Sequence, residues 1–155
     1  MHNRFSSFAV LAATAATIGL ALSPSAGASA SHAAKLSPPV IREGFTPAPC
    51  TGKPGHRTTL QLEQCAGQQI ARSDKQINAL NRKIFNALPS DSARRDLIAG
   101  HKAWLAYRSS YCLSESDVFQ GGTLAGVVEA NCFVTINGQH VTNLKRFLKN
   151  LTANN

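Results

Sequence analysis

Four cysteines, two histidines and a Trp–Arg pair are the residues of this 155-residue chain whose types and spacing could do chemistry. Cys50, Cys65, Cys112 and Cys132 make an even set without a Cys-x-x-Cys or a tight Cys/His spacing. Their chemistry is therefore oxidation to two disulfides, not metal binding. Three pairings are open. Cys50–Cys65 and Cys112–Cys132 are favoured because each closes a local loop, contributing about 3 kcal/mol on a loop-entropy argument. His101 and His140 fall on otherwise apolar faces, and the chain has few acids to activate them. Glu63, Asp74, Glu115, Asp117 and Glu129 are the plausible partners among its eight Asp and Glu. There is no nucleophile elbow, no His-Glu-x-x-His and no phosphate-binding loop. The two histidines read as core or groove residues. No catalytic residue, cofactor or metal site is assigned, and an enzyme is not expected.

The segment that precedes these residues predicts export. His2 and Arg4 form a short basic start, Phe8 to Leu22 an uncharged apolar run, and Ala26-Gly27-Ala28 a small-residue cleavage pattern. Residues 1–28 therefore read as a signal peptide. The apolar run is about 15 residues, short of the roughly 20 that a membrane-spanning helix needs. No cysteine stands near the cleavage point to take a lipid, so no membrane anchor is expected. An exported chain meets an oxidising compartment, in agreement with two disulfides. Loss of Arg4 with the leader lowers the formal charge from +8 to +7. That balance suits an anionic partner, although the basic residues are scattered and no nucleic-acid motif accompanies them.

Three helices must position the candidate residues. Residues 29–57 carry Pro38, Pro39, Pro47, Pro49 and Pro54 and read as a flexible arm, ordered only near Cys50. From Thr58 onward, Leu62, Ala66, Ile70, Ile77, Leu80, Ile84 and Leu88 fall on one helical stripe, with Thr58 or Thr59 as cap and Pro89 as stop. Ser90 or Asp91 caps a second helix whose inner face carries Leu97, His101, Trp104, Leu105, Arg108, Tyr111 and Cys112. The polar segment 113–122 is expected to be a loop closing on Gly121-Gly122. A third helix from near Thr123 places Phe133, Ile136, His140, Leu144, Phe147, Leu148 and Leu151 on one face. Asn137-Gly138 is also a turn signal, and a break there would make two helices of it. The strand-like run before Asn137 has no later strand to pair with, so a hairpin is rejected. The architecture is all-α, one domain over residues 58–155 with Cys50 tied to it. It consists of a long antiparallel helical hairpin and a third long C-terminal helix, stapled by two disulfides.

Within this frame the polar residues on apolar faces acquire partners. The short connection makes the first two helices antiparallel neighbours. Asp74 and Arg108 are then expected to form a partly buried pair, with Asn81 completing the guanidinium's hydrogen bonds. An arginine is rarely placed inside unless it is paired. Trp104, the only tryptophan, is expected to anchor the core one turn away. Asp74, Asn81, Trp104 and Arg108 are thus a structural polar cluster.

Cys65, Ser73-Asp74, Leu80-Asn81, the run Ala103-Trp104-Leu105-Ala106-Tyr107-Arg108, Cys112, Gly121-Gly122-Thr123 and Cys132 together resemble the LprI-like family of lysozyme inhibitors. The resemblance covers roughly residues 50–150. It implies a small secreted or lipid-anchored helical domain that binds a protein partner, with lysozyme as the partner of the founding member. Inhibition would then use the segment 113–123 as a partner-binding loop, with Glu115 and Asp117 as its acids and Gly121 and Gly122 as its turn. The alternative from charge alone is a basic, non-enzymatic binder of anionic cell-wall polymer.

Overall fold

The computed structural model describes residues 35–42 and 46–153. They form three helices, α1 (Thr59–Ala87), α2 (Asp91–Asp117) and α3 (Thr123–Ala153), and no strand occurs among the described residues. The expected signal peptide lies outside the described residues.

The helix ends follow from local chemistry. At the start of α1 the Thr58 hydroxyl accepts from the Gln61 amide at 3.3 Å, and Gln61 Oε1 accepts from the Thr58 amide at 3.1 Å. This reciprocal box satisfies two amides that a helix start leaves without partners. Leu88, the residue before Pro89, is extended (φ −69°, ψ 134°), which stops the helix. Ser90 then caps α2 through the Ala93 amide at 3.2 Å. Arg94 reaches back to the Phe85 and Leu88 carbonyls at 3.2 and 3.1 Å, so the first turn of α2 closes the last turn of α1.

The helices alternate in direction. Asn81 meets His101 and Asp74 meets Arg108, so α1 and α2 are antiparallel. Trp104 meets His140 and Cys112 meets Cys132, so α2 and α3 are antiparallel too. Glu63 lies against Gly126 and Asp74 against Asn137, which makes α1 and α3 parallel. The backbones of α1 and α3 pack most extensively, while α1 and α2 meet chiefly through long side chains. One core cluster joins Ile77, Ile84 and Leu88 to Val141 and Leu144, and a second joins Cys112, Cys132 and Ile136. Half-buried Trp104 packs against both.

Two expectations change in the folded chain, and one choice left open is decided. First, α2 does not end near Cys112 but runs to Asp117, so Glu115 and Asp117 lie on its last turns and not in a loop. The Ser114 and Ser116 hydroxyls bond the carbonyls three residues back, at 2.7 and 2.9 Å. The polar run therefore supplies its own hydrogen bonds without leaving the helix. Second, the single third helix holds: α3 passes through Asn137-Gly138 unbroken, because the Asn137 side chain is spent on buried partners instead of a turn. Third, order in the arm is not confined to Cys50. Pro39 and Ile41 are buried, and the Asn78 carboxamide bonds both backbone groups of Ile41, at 2.7 and 3.1 Å.

Candidate functional site

The polar centre of the bundle is assembled by all three helices. Arg108 of α2 donates through one terminal nitrogen to Asp74 of α1 at 3.0 Å and to Asn137 of α3 at 3.1 Å. The Asn137 amide donates to Asp74 at 2.8 Å and to the Ser73 hydroxyl at 2.8 Å. Asp74, Arg108 and Asn137 are all nearly sealed from solvent. The guanidinium also lies 5.2 Å from the Trp104 ring centre and 5.1 Å from that of Phe133, within cation–π range. Charge, hydrogen bonds and ring faces together offset the desolvation of a buried ion pair.

The expected Asp74–Arg108 pair thus forms, but Asn81 is not its third member. Asn81 lies nearer the C-terminus of α1 and its amide meets His101 Nδ1 at 3.1 Å. Asn137 takes the role in its place. Its position four residues after Phe133 and four before Val141 puts it on the apolar face of α3, a signal that the Asn-Gly turn reading masked.

Beyond Asn81 the two histidines and Trp104 form a ring cluster. Trp104 stacks on His140 with centres 3.9 Å apart, and His101 stands 5.8 Å from the tryptophan. Burial, with Arg108 nearby, lowers the His101 pKa. Burial first, then His101 and Arg108, lower that of His140 to about 4. Both rings are therefore neutral at pH 7, and among the described residues His101 bonds Asn81 and not an acid. Among the described residues no group of three or more His, Cys, Asp or Glu could hold a metal ion.

At the other end of α2 the molecule presents a different surface. The Cys112–Cys132 disulfide (Cα atoms 5.5 Å apart) pins α2 to α3 on the side of the bundle that holds their connecting turn. The other bridge, Cys50–Cys65, ties the arm to α1. Both are the pairs favoured from loop length. In the turn, Gln120 and Gly121 both take left-handed conformations (φ 48° and 74°), and the Gly122 amide closes on the Phe119 carbonyl at 2.9 Å. This leaves Val118 exposed at 76 % and Phe119 at 38 %. Beside the bridge, Tyr107 and Tyr111 line a groove with Glu115 and Gln139. Hydrogen bonding to Glu115 raises the Tyr111 pKa. Of the four expected loop residues, Gly121 and Gly122 build the tip, Asp117 flanks it, and half-buried Glu115 faces the groove. Val118 and Phe119 are not singled out in the sequence, where the polar residues and glycines of the segment draw the reading, and Tyr107 enters only as part of the run Ala103–Arg108.

The lysozyme inhibitor LprI family model matches residues 50–144, which contain both disulfides, the buried Asp74–Arg108–Asn137 centre and the tip. The chain belongs to that family. No curated protein and no solved structure matches it significantly. The LprI match ends within α3, so the family pattern covers α1, α2 and the part of α3 that carries the polar centre.

Proposed function

We propose that this chain is an exported, non-enzymatic protein that binds and inhibits a lysozyme-type muramidase, and that the α2–α3 tip enters the partner. The family match carries this reading. Two disulfides support an extracellular or envelope location. The tip supports the mode of binding: exposed Val118 and Phe119 stand on a turn pinned by Cys112–Cys132, so little conformational freedom is lost on docking. Asp117 and Glu115 add the acids that a basic partner surface would meet, against the positive charge of the chain as a whole.

The test is lysis of cell-wall suspensions by a panel of lysozymes in the presence of the oxidised protein. Inhibition near one-to-one stoichiometry should persist at physiological salt, and Val118→Asp with Phe119→Asp should weaken it at least tenfold without lowering Tm. Absence of inhibition throughout the panel, with the protein sedimenting with wall only at low salt, would replace this reading by binding to anionic polymer.

A further inference from the structure

A cavity of about 410 Å³ opens between the three helices at the end of the bundle remote from the tip. Its walls are mainly apolar, with Leu88, Leu97, Leu144 and Phe147 among them, and Gly100 lies on its border. Gly100 and Val118 are separated by about 27 Å of helix, so the cavity is distinct from the surface assigned to the protein partner.

Asn81, His101 and His140 also line this cavity, and each has a buried polar atom that no described residue satisfies: Asn81 Oδ1, His101 Nε2 and His140 Nε2. Asn81 is fully buried and His101 is 6 % exposed. Their mutual bond fixes what the remaining atoms offer. If the Asn81 amide donates to His101 Nδ1, the imidazole proton sits on Nε2, leaving a donor there and an acceptor at Asn81 Oδ1. If the carboxamide is turned, Nδ1 donates and Nε2 becomes the acceptor, while the Asn81 nitrogen keeps a donor. Both arrangements leave one donor and one acceptor on the pair, buried atoms that a head group reaches when a lining side chain shifts. Buried polar groups left in that state are costly, and a ligand that completes them recovers the cost.

The geometry points to a binding site for an uncharged amphiphile whose apolar body fills the cavity and whose head group both donates and accepts a hydrogen bond, as a hydroxyl or primary amide does. Among the described residues the only acid or fixed cation lining the cavity is exposed Asp96, and the nearby Arg108 is already paired with Asp74, so no free counter-ion awaits an ionic head group at the polar end. Volume and lining fall within the range of small-molecule sites. The site does not depend on the inhibitor reading.

The experiment is a titration of the ¹⁵N-labelled, oxidised protein with benzyl alcohol, benzamide and toluene, followed by amide chemical shifts. Benzyl alcohol and benzamide should perturb residues near 81, 97–101 and 140–147, and should bind about tenfold more tightly than toluene. An added Cβ at Gly100 meets no atom within 4 Å, so Gly100→Leu can fold and occlude the cavity border. That variant should lose all binding, whereas Asn81→Leu with His101→Phe, which removes both polar groups, should bind the three probes equally. Absence of shifts in the wild-type protein, equal binding of toluene, or undiminished binding to Gly100→Leu would each overturn the assignment and leave water as the cavity's occupant.

Discussion

Replacing Arg108 with alanine is the sharpest test of how this bundle is held together. The substitution removes the donor to Asp74 and Asn137 and the cation over Trp104 and Phe133, and it does so beside an Asp74 that is 5 % exposed in the wild-type fold. A buried charge deprived of its partner costs about 3–5 kcal/mol. For a domain of this size each kcal/mol lowers Tm by about 4 °C, so the variant should melt about 12–20 °C below wild type. Urea unfolding followed by circular dichroism gives the same quantity at constant temperature. Substituting all three partners (Asp74→Leu, Arg108→Met and Asn137→Leu) should restore most of the loss, to within about 2 kcal/mol, since an apolar replacement leaves no charge stranded. A single variant that melts within two or three degrees of wild type would refute the buried pair as a structural element. A triple variant no better than the single one would refute the desolvation argument.

The histidine cluster and α3 give two further expectations. His140 has a folded pKa of about 4, below its ordinary value of 6.5, with His101, Arg108, Asp74 and Asp96 as the titratable or charged groups around the cluster. Its neutral form is the one the fold holds. The stability it contributes is complete above pH 6.5 and is lost as pH falls from 6.5 towards 4, by at most about 3 kcal/mol. Urea midpoints at pH 7 and 4.5 measure this loss. His140→Phe should keep the stack on Trp104 and flatten the pH dependence, and an equally steep profile in that variant would contradict the assignment. Gly138 is exposed in mid-helix, and a Cβ there meets nothing within 4 Å. Gly138→Ala should therefore stabilise the protein by about 0.5–1 kcal/mol, raising Tm by a few degrees. A lower Tm would show that α3 needs the glycine.

Local chemistry is legible in the order of the residues. Thr58, Ser90 and Pro89 mark helix ends through hydrogen bonds and steric limits within three or four residues, and the apolar stripes follow from the helical period alone. The pairs Cys50–Cys65 and Cys112–Cys132 follow from short loops. The length of α2 is not legible, because serine is as much at home in a turn as on a helix whose carbonyls its hydroxyl can bond. Asn137 reads as a turn residue for a similar reason: its neighbour Gly138 is the residue a turn would use.

Partner choice across the bundle lies beyond the sequence. Asp74 has two carboxamides within reach of an inner face, Asn81 on its own helix and Asn137 on another, and their relative heights depend on the offset between packed helices. Only the tertiary structure puts Asn137 level with Arg108 and drops Asn81 to the level of His101. It also decides which apolar residues stay in solvent: Val118 and Phe119 face outward because the left-handed turn at Gln120 and Gly121 carries them away from the core. Helical period and capping are properties of neighbouring residues, so the sequence determined them. Register between helices and exposure at the tip depend on the packing of distant residues, and the folded bundle decided them.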